Sequence, residues 1–256
     1  MTRYGSRART PSNRGWPKVI GRFPSQKCSG LVWSEGALER DYIRLLELDP
    51  EVTGYQEQPI LVRYMYWERG VVCLLDDGAS DKVTEPEPGY KAARYYPDFY
   101  VERAELPPML VEVKNEALLT DPSVKRKLTA GYLLAKSRGW EFRVITEEIR
   151  QGPLLESARV IQRYSRMEVP ACVALRTLQI INAVGEPYTV RQLGERLAGV
   201  QGDPRTHEAY VYALVGRGAL SLHPQGKVVG PESFVQSVGG GRFGIGAASA
   251  GRSVLV

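Results

Sequence analysis

Apolar positions recur at helical spacing through residues 34–48, where Leu38, Tyr42, Leu45, Leu46 and Leu48 share a face. Ser34 is the candidate N-cap of this helix, and Asp49-Pro50 ends it. The pattern then changes. Residues 52–55 and 60–67 are β-rich runs on either side of the polar turn Gln56-Glu57-Gln58-Pro59. Residues 76–89 are polar, acidic and broken by Pro86 and Pro88, which predicts a hairpin loop or insertion. Two further strands are expected at 95–101 and 109–114, paired as a hairpin across a turn at 102–108. Asp121-Pro122 opens a helix over 123–136, with Leu128, Tyr132, Leu133 and Ala135 on its apolar side, and a strand follows at 141–146. Helix, strands, helix, strand make an α/β core with a mixed sheet.

From about Gln151 the spacing becomes helical, with segments around 160–164, 171–183, 189–197 and 204–217. Thr189 caps a short amphipathic helix and 199–203 forms a turn, a helix-turn-helix shape. Residues 218–222 and 227–229 are expected as two short strands of a wing; a plain three-helix bundle for protein contacts has the same periodicity. Four regions result: a basic arm over 1–33, an α/β domain over 34–150, a helical, winged-helix-like domain over 151–238, and a Gly-rich tail over 239–256.

Charge sharpens the picture at the N-terminus. No acidic residue precedes Glu35, whereas Arg3, Arg7, Arg9, Arg14, Lys18, Arg22 and Lys27 recur among Ser, Gly and Pro. Such a stretch has too little apolar content for a core and reads as an extended arm suited to phosphate, or as a solvated tail. Elsewhere the 256-residue composition is that of a globular protein: 43% hydrophobic, 25% charged, formal net charge +5. No apolar run approaches the roughly 20 residues of a membrane span, and no secretory signal is read. Cys28, Cys73 and Cys172 are scattered, which fits a reducing cytoplasm, and His207 and His223 read as surface or cap residues. With phosphate-loop, dinucleotide and zinc motifs missing, carboxylate and lysine chemistry remains.

The sharpest constellation is Pro97-Asp98 at one strand and Glu112-Val113-Lys114 in the next. Alternation puts Glu112 and Lys114 on one face, with Val111 and Val113 directed at the core. Asp98 can lie beside Glu112, and two adjacent carboxylates call for a divalent cation, with Mg²⁺ best suited. A metal there activates water and polarises a phosphoryl oxygen. Lys114 can orient or help deprotonate that water. Glu39, on the first helix, is the favoured additional ligand, with Glu35 competing one turn earlier, and Gln58 is a possible accessory. The bland alternative is a surface ion pair between Glu112 and Lys114 on an edge strand.

Glu39, Asp98 and Glu112-x-Lys114 resemble the PD-(D/E)xK nuclease superfamily. More narrowly, Leu38-Glu39-Arg40-Asp41-Tyr42, Leu48-Asp49-Pro50-Glu51-Val52, Glu57-Gln58-Pro59, Tyr96-Pro97-Asp98-Phe99, Leu110-Val111-Glu112-Val113-Lys114 and Val144-Ile145-Thr146-Glu147 are similar to the TnsA endonucleases of heteromeric transposons. The resemblance runs from about Ser34 to Glu148. It implies a restriction-endonuclease-like fold and a Mg²⁺-dependent nuclease, with Mn²⁺ able to substitute, that cuts the strand which its partner transposase does not join. Implied partners are transposon-end DNA, a TnsB-type DDE transposase and a TnsC-type AAA+ ATPase met through the C-terminal region and tail, in a bacterial cytoplasm with action at the nucleoid. Implied metal ligands are Asp98, Glu112, Glu39 and the backbone carbonyl of Val113, with Lys114 at the water. The basic arm and Lys125, Arg126 and Lys127 are expected on DNA phosphates. A free-standing restriction-like or structure-selective nuclease and a silent DNA-binding scaffold are the alternatives.

Overall fold

The computed structural model describes residues 20–67, 70–75, 88–183, 187–200, 202–223 and 226–237. The insertion expected at 76–89 thus falls largely outside the described residues. So do the arm's Arg3, Arg7, Arg9, Arg14 and Lys18, and the tail from 239. Among the described residues two compact units are formed: one holds 20–42 and Val52–Glu148, the other holds Ile43–Glu51 and 149–237.

In the first unit, β1 (Gly21–Pro24) and β2 (Leu31–Ser34) pair as an antiparallel hairpin. The end of the expected arm is therefore folded, because Phe23 and Val32 bury there at 9% and 3% exposure. Arg22 stacks its guanidinium over its cross-strand partner Trp33 at 4.3 Å. Ser34 ends β2 rather than capping a helix, and α1 runs Ala37–Leu48.

A four-stranded mixed sheet follows in the order β3 (Val52–Glu57), β7 (Phe99–Arg103), β8 (Leu106–Val113), β9 (Glu141–Ile145). Only β8 and β9 are parallel, joined through α2 (Pro122–Ser137). A separate three-stranded antiparallel sheet has the order β5 (Val72–Leu74), β4 (Val62–Tyr66), β6 (Lys91–Tyr95). The single strand expected over 95–101 is thus two strands in two sheets, parted at Tyr96-Pro97-Asp98. Proline lacks the N–H that a continuing ladder needs.

The core of this unit joins one face of the three-stranded sheet, Val62, Tyr64 and Tyr95, to Val124, Leu128 and Leu134 of α2 and to Leu110, Phe142 and Val144 of the larger sheet. On the other side of β7, Phe99 packs edge-on against Tyr42 and Tyr55. Strand β8 lies inside the sheet and is covered on both faces: Leu110 and Val111 are fully buried and Glu112 is 2% exposed. Val111 and Val113 are buried as expected, but the face that carries Glu112 is covered as well, so alternation does not separate a core face from a solvent face here.

The second unit contains α3 (Leu154–Tyr164), α4 (Ala171–Ala183), α5 (Val190–Ala198) and α6 (Pro204–Gly216). Thr189 and Gln192 close a reciprocal capping box at α5, and Asp203 caps α6. His207 lies within the first turn of α6, its Nδ1 2.9 Å from the Asp203 carbonyl. A small antiparallel sheet has the order β10 (Tyr188–Thr189), β12 (Phe234–Ser237), β11 (Leu220–His223). The strand expected at 227–229 lies instead at Phe234–Ser237. Val229 is buried at 4% exposure, and its N–H donates to Ser157 Oγ at 3.0 Å rather than to a ladder.

Candidate active site

Register builds the centre. Phe99 pairs with Val111, so the residue before one, Asp98, meets the residue after the other, Glu112. Asp98 is fixed at both ends: its Oδ2 accepts the Val113 N–H at 2.7 Å, and its carbonyl accepts the Gln58 N–H at 2.8 Å. Gln58 reaches it through a left-handed backbone, φ 44°, and its Nε2 donates to Glu35 Oε1 at 3.1 Å. The Glu35 N–H in turn donates to Glu39 Oε2 at 2.7 Å. Lys114 closes the group with its Nζ 2.8 Å from Glu112 Oε1.

These residues line one cleft of about 560 Å³, together with Arg94, Tyr95, Tyr96 and Lys127. All four expected catalytic side chains, Glu39, Asp98, Glu112 and Lys114, are brought together, as are both competitors for the helix position and the accessory Gln58. Of the three α2 residues expected on DNA along with the arm, Lys127 faces the cleft. Arg126 lies over the Tyr66 ring at 4.3 Å, and Lys125 is exposed. Arg94 and Tyr95 were not anticipated. Their signal is adjacency, since Arg94-Tyr95-Tyr96-Pro97-Asp98 runs without interruption into the site.

The electrostatics are those of negative charge crowded away from water. Burial, then the Asp98 charge, pushes Glu112 up to about 8 against the counter-pull of Lys114. Burial and Asp98 likewise push Glu39 up to about 7. Burial alone would lower the Lys114 ammonium, but Glu112, Asp98 and Glu39 outweigh it and hold it above an ordinary lysine. With the Glu112 side chain 3% exposed on an inner strand, the reading as a surface ion pair on an edge strand does not hold.

Among the described residues no group of three or more His, Cys, Asp or Glu side chains forms a metal-ligand set. The donor chemistry nevertheless fits a hard cation held by few protein ligands. Glu112 Oε2 is buried with no hydrogen-bond partner, a costly state that a cation beside Asp98 would relieve. Mg²⁺ retains several waters and commonly takes only one or two carboxylates.

Residues 49–147 match the family described as TnsA-like endonuclease N terminal. The matched stretch includes Gln58, Asp98, Glu112, Lys114 and Lys127, while Glu35 and Glu39 precede it. None of the curated proteins matches the chain.

Proposed function

We propose that this chain, whose residues 49–147 form a TnsA-like endonuclease domain, is a divalent-metal-dependent DNA endonuclease that cuts the non-transferred strand at transposon ends, working with a DDE transposase and an AAA+ regulator. The observation that carries this reading is the partnerless Oε2 of buried Glu112, beside Asp98 and Lys114 in one cleft. Asp98 and Glu112 would hold the cation, with the Val113 carbonyl and Glu39 as further ligands. When bound, a Mg²⁺ there supplies Lewis-acid polarisation of the phosphate and a more acidic water.

The protein's own groups have separable tasks. Lys114, kept protonated by its carboxylate neighbours, orients the attacking water and offsets negative charge on the phosphate; it is not a base in the resting site. Glu39, a further ligand when a cation is held, is pushed up to about 7 without one by burial and by Asp98, so that cation binding there would displace a proton near neutrality. Gln58 and Glu35 hold Glu39 and Asp98 in place through the chain of hydrogen bonds described above.

The helices α4–α6 and the sheet β10–β12–β11 support a winged-helix reading of the second unit, which we assign to contacts with DNA or the regulator. The test is strand-resolved cleavage of a labelled transposon-end duplex with Mg²⁺, with and without the neighbouring transposase and ATPase. One-strand cleavage that needs Asp98 and the partners supports the reading. Cleavage without partners points to a free-standing nuclease, and no Asp98-dependent cleavage in any mixture leaves a scaffold.

A further inference from the structure

The cleft carries its negative charge deep and two of its cations further out. Its carboxylates are Glu35, Glu39, Asp98 and Glu112, and its cations are Arg94, Lys114 and Lys127. Lys114 is taken up by Glu112 at 2.8 Å. Arg94 is exposed and Lys127 half-buried, and neither makes an ion pair or side-chain hydrogen bond among the described residues. A DNA phosphate that is to reach Asp98 and Glu112 has to approach four carboxylates, and like charges repel most where water is excluded. Only cations not already engaged by those carboxylates can offset that repulsion.

Two separate elements supply them. Arg94 is the penultimate residue of β6, whose last residue, Tyr95, turns into the core at 7% exposure. Alternation directs Arg94 the other way, four positions before Asp98. Lys127 stands one turn after Val124 on α2 and beside Leu128, both of them buried. Its half-buried stem brings the ammonium to the cleft, where its charge acts on Glu112. The preceding Arg126 is turned onto Tyr66 instead. The two cations also differ in kind: a guanidinium offers a planar fork to two phosphate oxygens, whereas an ammonium is a compact point charge.

We infer that Arg94, from β6, and Lys127, from α2, clamp a single DNA phosphate between them over the cleft carboxylates, and that they do so before any metal cation is bound. This rests on the nuclease reading and deepens it, since the clamped phosphate is then the one cut. It also separates Lys127 from Lys125 and Arg126, which have no place at that phosphate. The clamp carries no base information, so it sets which backbone position faces Asp98 while sequence choice lies elsewhere.

The test uses the full chain in EDTA and duplexes of about 30 bp, each with one uncharged methylphosphonate stepped along either strand, and follows binding by fluorescence anisotropy. On the unmodified duplex Arg94→Gln and Lys127→Gln each weaken binding about tenfold. At one methylphosphonate position, the same for both, the wild type shows a loss of that size and neither variant loses anything further. Arg94→Lys and Lys127→Arg keep the sensitivity at that position, which separates charge from misfolding. Gln variants that bind like wild type overturn the clamp, as do losses equal at every position or two different positions for the two variants. Breaks made with Mg²⁺ by wild type and not by Asp98→Asn then leave the nuclease reading intact. Failure of the wild-type chain to bind duplex overturns the clamp as well. If the shared position is found while wild type and Asp98→Asn alike make no break in any partner mixture, the nuclease reading fails and the phosphate clamp stands.

Discussion

The Val113 N–H points into the Asp98 carboxylate at 2.7 Å, so this carboxylate joins the end of β8 to the Tyr96-Pro97-Asp98 crossing between two sheets. Position 98 thus has a structural and a chemical duty that substitution can separate. Asn keeps an oxygen to accept the N–H, whereas Ala leaves that donor without its acceptor. Asp98→Asn is expected to unfold at a urea midpoint near wild type yet to cut DNA at least about 100-fold more slowly. Asp98→Ala should lose the same activity and, in addition, about 1–3 kcal/mol of stability.

The raised carboxyls make metal-free stability depend on pH in an unusual direction. Glu112, at about 8 when folded against an ordinary 4.5, and Glu39, at about 7, bind more protons in the folded than in the unfolded chain across that window. Stability from these groups is therefore greatest at low pH and declines as pH rises from about 4.5 to 8. The raised Lys114 acts only at much higher pH and does not alter the trend. Urea denaturation in EDTA at about pH 5.5 and 8 should show the loss, and added Mg²⁺ should restore more stability at the higher pH.

Glu35 and Glu39 are separated by their partners. The Glu35 carboxylate is occupied by the Gln58 amide, and Glu39 is the one that Asp98 and Lys114 act upon electrostatically. Cleavage assays on Glu39→Gln should show a loss of about 100-fold or more. Glu35→Gln, which keeps a side chain able to bond Gln58, should lose less than about tenfold.

Gly131 of α2 lies against Tyr95. A Cβ at that position would sit 2.0 Å from the Tyr95 hydroxyl and 2.7 Å from the Phe142 ring, and the hydroxyl is buried without a partner. Gly131→Ala should cost about 1–3 kcal/mol by overpacking. Tyr95→Phe removes an unsatisfied buried group and relieves the closest clash, so the double variant should recover part of that loss in urea titrations.

Local signals made most of the elements legible. Asp121-Pro122 announces α2, and the Asp121 carboxylate does accept the N–H groups of Ser123 and Val124. The four proposed catalytic side chains could be named because strand alternation and a helix turn restrict which carboxylates can converge. What could not be read was set by distant partners. Burial of Glu112 depends on β9, which joins only after α2, and a hydrophobic run shows no polar face when both sides are covered. Val229 looked like a strand residue, but its N–H is taken by Ser157, 72 positions away. The end of the basic arm folds because Phe23 and Val32 supply an apolar pair that charge counting overlooks.

The parallel pairing of β8 with β9 also orders events in time. Glu39, Asp98 and Glu112 all leave the ribosome before Glu141–Ile145, yet Lys114 donates its backbone N–H to Ile145 at 2.9 Å, and Glu112 lies opposite Val144. A parallel strand reached through a helix closes late, because the intervening chain must first be ordered. A nascent or prematurely terminated polypeptide can therefore carry every cutting residue while still lacking the strand that brings them to bear. The proposed nuclease centre is therefore complete only once synthesis has passed Ile145.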